Sequence, residues 1–188
     1  MIRVKDITIT CLLLVALSNS LHFLGRVWWC SCGDFVMSSW DVHSKHNSHH
    51  ILDQYSFSHV LHGLVFFWAL YLGRAHLSTR SRFFIAMVIE VVWEFMENTP
   101  IIIDRYRSVT VSLGYTGDSI ANSLSDVACC MIGFAFAGRF GFRASALLFL
   151  LTEALLLFFI KDSLIINVIM LIWPLDVIKN WQMAAGAV

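Results

Sequence analysis

Residues 82–103 read RFFIAMVIEVVWEFMENTPIII, twenty-two positions that are apolar apart from a few regularly placed polar residues. About twenty such residues are needed to cross a hydrocarbon layer of roughly 30 Å, so the stretch has the length of a membrane-spanning helix. Within it Glu90, Glu94 and Glu97 recur at i, i+4 and i+7. At about 100° per residue this sets three carboxyl groups on one narrow face. An acid in the middle of a lipid-facing helix costs roughly 2.5–3.5 kcal/mol on insertion scales, so that face must look inward onto other helices. The segment therefore predicts one helix of an all-α, polytopic transmembrane bundle.

The remainder of the chain agrees. Of its 188 residues 58% are hydrophobic and 14% charged, against the roughly 45–50% apolar usage of soluble domains. No Pro/Gly/Ser-rich linker divides the chain, which reads as a single transmembrane domain over residues 1–188 with about six spans: 7–29, 57–73, 82–103, 118–138, 144–160 and 164–178. The first resembles a signal sequence, with Arg3 and Lys5 before an apolar core. It lacks a small-x-small cleavage pattern and ends on Trp28-Trp29, so it is expected to persist as a helix. Pro174 interrupts the last span, which is short enough to be a half-span. Residues 31–55 are polar and irregular, with His43, His46, His49 and His50, and form an extramembrane loop.

Threading the thirteen basic residues through these spans leaves Arg3, Lys5, Arg74, Arg80, Arg82, Arg139, Arg143 and Lys179 on one side. Arg26, Lys45, Arg105, Arg107 and Lys161 fall on the other. The bias predicts both termini in the cytoplasm, with the histidine-rich loop outside. Equal numbers of acids and bases, with no basic run interleaved with aromatics, argue against a nucleic-acid partner. The expected surroundings are a lipid bilayer; oligomeric state is open.

Two further segments carry costly polar groups. His59 and His62 lie one turn apart near the start of the second span, and Asp118, Asn122 and Asp126 make a stripe along the fourth. In the orientation above His59, His62, Glu94, Glu97, Asp118 and Asn122 share the outer half of the membrane, with Glu90 about 10 Å deeper than Glu97. Any one of them is explained by polar bonding between helices. Taken together they exceed what packing requires and define a candidate site. His59, His62, Glu94, Asp118 and Asp126 are candidate ligands of a divalent metal, Glu97 a candidate general base, and Glu90 and Asn122 candidate binding residues. Arg105 and Arg107, in the loop after the third span, suit an anionic lipid head group or small anion, although a plain surface network explains them equally well.

Other residues weigh less. Cys11, Cys129 and Cys130 sit in apolar stretches as small buried hydrophobes. For Cys30 and Cys32 in the hydrophilic loop a disulfide or a metal role stands against free thiols. The loop histidines have spacings that metals tolerate but are commonly just solvated. Glu153 is isolated in the fifth span, and His22 is more often an interior histidine than a ligand. Trp40, Tyr55, Tyr106 and Trp173 read as interfacial anchors.

Four stretches carry a resemblance: SHHILDQYSFSHVLHG at 48–63, WEFMENTPIIIDRYR at 93–107, GYTGDSIANSLSD at 114–126 and NVIMLIWPLDVIKNWQ at 167–182. They resemble a bacterial family of multi-pass inner-membrane proteins, number three-one-four in the series of uncharacterised protein families. Their order is similar, more loosely, to small membrane proteins of the VanZ type. The sequence departs from the family pattern at Gln54, where tryptophan is usual, and at His49, where glutamine is usual, which weighs against His49 as a ligand. The resemblance implies a membrane location and supports the same His, Glu, Asp and Asn positions, without an activity.

Three functions are consistent with these readings. One is an outer-leaflet pocket that binds a metal or an anionic head group, catalytically or otherwise. Another is a small proton-coupled transporter using Glu90, Glu94 and Glu97 as a graded path, although the halves show no inverted repeat. The third is a scaffold subunit whose polar seam binds a partner helix. No GxSxG, HExxH or Walker loop is present.

Overall fold

A computed structural model describes residues 3–184 except 43, 45 and 111–113; His43 thus lies outside the described residues. Among these residues the fold is all-helical, the nearest approach to a strand being an isolated parallel bridge between Ser38 and Leu52. The helices are α1 (Val4–Phe23), α2 (Ser56–Tyr71), α3 (Thr79–Glu97), α4 (Pro100–Val109), α5 (Ile120–Ile160), α6 (Leu164–Ile172) and α7 (Asp176–Met183).

Local chemistry sets the boundaries, and several differ from the sequence reading. The first helix stops at Phe23 rather than Trp29, because Gly25 turns the chain with φ +80°. α3 starts earlier than expected, where the Ser78 hydroxyl accepts the Ser81 amide at 3.0 Å. It also ends earlier, at Glu97. Pro100 has no amide hydrogen and disfavours helical geometry at Thr99 (φ −77°, ψ 151°), so the expected span 82–103 breaks and α4 begins afresh with proline in its first turn.

The expected fourth and fifth spans join in the single element α5, broken at Gly141 (φ 79°, ψ −178°). Asp126 and Phe149 line one cavity, whereas a straight helix would hold them about 34 Å apart at 1.5 Å per residue. The two halves of α5 therefore fold back on one another at Gly141, the glycine supplying a backbone conformation other residues resist. The sixth span is corrected most. Pro174 ends the helix at Ile172, leaving α6 nine residues and about 14 Å long, with α7 as a separate short helix.

The core forms where α2 meets α5. Leu61, Leu64 and Phe67 pack with Val127, Cys130, Met131, Phe134 and Ala137, joined by Leu17 and Leu21 of α1 and Ala86 and Met87 of α3. Two glycines set the approach. A Cβ at Gly63 would lie 1.9 Å from the Cys130 carbonyl oxygen, and one at Gly133 would lie 2.0 Å from that of Val60. The backbones are thus in direct contact, as in small-residue helix pairs of membrane proteins.

Outside this core the surface is strongly apolar. Leu12, Leu147, Leu150, Phe158, Phe159 and Ile172 are all exposed. α1 and α5 are long and apolar enough to cross a membrane, and α2 is a shorter apolar helix.

Substituting Gly63 or Gly133 by alanine pushes a methyl group into backbone rather than into a yielding side chain. Each variant is expected to lose about 2–3 kcal/mol of stability, measured as earlier thermal unfolding of the detergent-solubilised protein. Gly114, where nothing lies within 4 Å of an added Cβ, serves as the control, and equal melting of all three alanine variants would refute the contact.

Candidate functional site

Helices α2, α3 and α5 bring the expected polar residues together. His59 and His62 lie three residues apart and so share one face of α2. Glu90 and Glu94 lie one turn apart and fully buried on α3, and Asn122 and Asp126 do so on α5. The Ser119 hydroxyl starts α5 by accepting the Asn122 amide at 3.1 Å.

At the centre His59 Nδ1 donates to Glu90 Oε1 at 2.6 Å, and His62 Nδ1 reaches Glu90 Oε2 at 3.1 Å. Glu90 is therefore part of the same cluster as the imidazoles rather than a separate, deeper group. His59 also lies 3.3 Å from Glu94 Oε1 and 3.8 Å from Asp126 Oδ2. The Glu94 contact is close enough for charge attraction but lacks hydrogen-bond geometry. Both Glu94 oxygens and Asp126 Oδ1 are consequently buried without a hydrogen bond, which is rare for native carboxylates. Donor atoms of His59, Glu94 and Glu97 lie within 4.8 Å of one another, as do those of His59, His62 and Glu90.

Asp118 has a different environment. Its backbone amide donates to Asn98 Oδ1 at 2.7 Å, while its carboxylate accepts from Asn98 Nδ2 at 2.9 Å and from the Tyr115 hydroxyl at 2.9 Å. This reciprocal pair ties the end of α3 to the start of α5. Asn122 Nδ2 points toward the Ile51 carbonyl at 3.5 Å. Arg105 Nε donates to the Leu171 carbonyl at 3.0 Å, and Arg107 is exposed. Neither arginine lines the cavity described next.

That cavity has a volume of about 600 Å³. His59, His62, Glu97, Asp118, Asn122 and Asp126 form its polar side. Val65, Phe66, Ile89, Phe149, Ile165 and Ile169 form apolar walls, and among the described residues no Lys or Arg lines it.

Sequence reasoning overlooked the residues that close this space from the loop. Ser48 donates through both its amide and hydroxyl to Asp53 Oδ2, at 3.1 and 3.0 Å. Asp53 Oδ1 accepts the Ser56 amide at 3.0 Å while the Asp53 amide donates to the Ser56 hydroxyl at 3.2 Å. This reciprocal bonding has the logic of a capping box, and the Asp-x-x-Ser spacing before an apolar run is the signal that reveals it. Burial raises the Asp53 carboxyl above its ordinary range, against the lowering effect of the Ser56 amide. The loop histidines are also not simply solvated: His50 is buried, and His49 Nε2 meets the Gly117 carbonyl at 3.1 Å. Burial depresses the His49 imidazole, which favours its neutral form.

Glu153 has a local explanation. Its carboxylate accepts the Leu164 and Ile165 amides at 2.9 and 3.3 Å, closing the first turn of α6. Asp162 beside it accepts from the Tyr55 hydroxyl and Asn167 Nδ2, and burial pushes it up to about 6.

Comparison with known proteins places these residues in a family. A UPF0314 protein of Paracoccus denitrificans is 43% identical over 175 residues, covering 93% of this chain and 91% of its own. UPF0314 protein Atu8092 of Agrobacterium fabrum is 42% identical over 164 residues, 87% of this chain and 83% of its own. A UPF0314 protein of Sphingopyxis alaskensis is 41% identical over 170 residues, 90% of each chain. No solved structure matches. The family described as "Protein of unknown function (DUF2585)" matches residues 21–184, and with relatives of this identity aligned along nearly their whole length the chain belongs to that family, which carries the name UPF0314 among its relatives.

Proposed function

We propose that this chain is a multi-pass protein of a bacterial inner membrane whose buried polar pocket binds a divalent cation, and that the cation receives the anionic head group of an amphiphile lying in the adjoining cavity. The observation that carries the reading is Glu94. Its carboxylate has 0% exposure, neither oxygen is hydrogen-bonded, and donor atoms of His59 and Glu97 stand within 4.8 Å. A buried carboxylate so placed needs a proton or a cation.

The mixture of acids supports a cation over a directly bound anion. Glu97, Asp118 and Asp126 line the cavity with no lysine or arginine among the described residues, so an anion alone would face three carboxyl groups. Nitrogen and carboxylate oxygen donors suit ions from manganese to zinc. His62 and Glu90 support His59, and Asp126 stands opposite; Asp118 is engaged with Asn98 and Tyr115 and belongs to the rim. A bound ion would supply Lewis acidity and a positive field at the pocket floor. Arg105 and Arg107 lie outside this cation site. The apolar walls fit the hydrocarbon part of a lipid-like molecule.

The exposed apolar side chains of α1, α2 and the two halves of α5 support membrane insertion. With α3 they make five crossings, and α6 is a half-span packed on the cavity. Combined with the distribution of basic residues this reading keeps the amino terminus cytoplasmic and the 31–55 loop outside, while the odd number of crossings moves the carboxyl-terminal α7, with Lys179, to the outer side rather than the cytoplasm. Alkaline phosphatase fused within residues 35–40 should be active, while green fluorescent protein joined ahead of residue 3 should fluoresce; the opposite pattern would refute the orientation.

Manganese tests the pocket separately from thiol-containing sites, because it prefers oxygen and nitrogen donors. The stripped full-length protein should bind Mn²⁺ by electron paramagnetic resonance, and Glu94→Gln and His59→Ala should each weaken binding by at least about tenfold. Equal binding by the wild type and Glu94→Gln would exclude the site. In nanodiscs containing anionic lipid, native mass spectra should show lipid retained by the Mn²⁺-loaded protein and released on chelation. Retention that ignores the chelator would separate the lipid from the metal.

A further inference from the structure

The loop between α1 and α2 contains a second cluster that the pocket does not use. Cys30 and Cys32 follow α1, His46 and His50 precede α2, and one donor atom from each of the four lies within 4.8 Å of the others. Cys30 Sγ is 3.1 Å from His46 Nδ1, and Cys32 Sγ is 3.9 Å from His50 Nε2. Both cysteines are free thiols. We propose that Cys30, Cys32, His46 and His50 form a closed, tetrahedral Cys2His2 site for a zinc-class divalent ion, which staples the extramembrane loop over the mouth of the pocket.

The distances fit the coordination chemistry. With zinc–sulfur bonds of about 2.3 Å and zinc–nitrogen bonds of about 2.0 Å, a tetrahedron has edges of roughly 3.3–3.8 Å, about 3.5 Å between sulfur and nitrogen. The two measured sulfur–nitrogen separations bracket that range, and small side-chain rotations bring the four donors onto it. Two thiols and two imidazoles select a borderline-soft ion, whereas the pocket donors are nitrogen and oxygen. Four protein ligands leave no open position, which marks a structural rather than a catalytic site.

The turn carrying the sulfurs aims backbone amides at them. The Cys32 amide donates to Cys30 Sγ at 3.4 Å and the Asp34 amide to Cys32 Sγ at 3.4 Å. Such amide-to-sulfur bonds stabilise negative charge on a ligating sulfur. Gly33, at φ +78°, turns the chain between Cys32 and Asp34, whose amide points back at the Cys32 sulfur. On the other arm His49 donates its amide to the His46 carbonyl at 3.1 Å, a tight turn that brings His46 and His50 to the same side. Trp29 packs its ring against the edge of His50, with centroids 5.7 Å apart.

The loop needs such a staple. Between Leu24 and Tyr55 its regular pairing amounts to one isolated bridge among the described residues, too little to fix a segment of that length against its chain entropy. Yet it positions the pocket rim: Ser48 and Asp53 line the cavity, the Ser48 carbonyl accepts the Ser119 amide at 2.9 Å, and His49 meets Gly117. A metal joining 30–32 to 46–50 would hold this rim in place.

Cobalt substitution tests the site on the full-length, reduced protein in detergent. Stripped wild type titrated with Co²⁺ should develop tetrahedral visible bands together with thiolate-to-cobalt charge transfer in the near ultraviolet, and one equivalent of Zn²⁺ should abolish both. Cys30→Ser with Cys32→Ser should lose the charge transfer. His46→Cys, which keeps four ligands while adding a third sulfur, should intensify it, so that the test survives misfolding of the double variant. Glu94→Gln should leave these bands unchanged while losing Mn²⁺, which keeps failure of the pocket reading distinct from failure of this one. Absence of charge transfer in the reduced wild type, or its persistence in the double cysteine variant, would overturn the proposal.

Discussion

A carboxylate buried among apolar helices has to be answered by a partner, and the Glu90 side chain is answered by two imidazoles. Glu90 is 0% exposed, His59 reaches it at 2.6 Å and His62 at 3.1 Å. Breaking one side of such a pair leaves an uncompensated charge, which is more damaging than never having had the pair. The interaction fixes the rotation of α2 against α3, because only one face of each helix carries these groups. Once that face is chosen, Leu61 and Leu64 are turned into the core and Val88 outward.

The third wall follows from backbone contact. Gly63 and Gly133 let α2 and α5 touch where any side chain would separate them, which brings Asp126 to within 3.8 Å of the His59 ring. Close packing and polar clustering are therefore coupled: without the glycines the acid on α5 would be displaced from its imidazole. The reversal at Gly141 completes the enclosure by returning Phe149 to the same cavity as Asp126. Polar groups at the ends of the elements serve continuity. The Asn98–Asp118 pair joins α3 to α5, Glu153 caps α6, and Asp53 with Ser56 opens α2.

The same distinction separates acids that are satisfied from those that are not. Asp53, Asp118, Asp162 and Glu153 each accept several hydrogen bonds from amides, hydroxyls or an asparagine. Glu94 accepts none. Satisfied acids are part of the architecture, whereas an unsatisfied one beside donor atoms of the right kind has the character of a binding site. The loop cluster of cysteine and histidine differs from both, since its softer donors lie outside the helical bundle and its amides point at sulfur.

Much of this was legible in the order of residues. Apolar length and the i, i+4, i+7 spacing of Glu90, Glu94 and Glu97 identified an all-helical chain with an inward polar face, since helical period and the cost of burying charge are local properties. The paired placement of His59 with His62 and of Asn122 with Asp126 was readable for the same reason. Tertiary structure alone decided which of these groups meet. It drew Glu90 level with the imidazoles, engaged Asp118 with Asn98 and left Glu94 without a hydrogen bond. It also brought Cys30 and Cys32 to His46 and His50 across a stretch with no periodicity to read. Periodicity reports which way a residue faces on its own helix; distances between helices depend on contacts such as Gly63 against Cys130, which involve residues far apart in the chain.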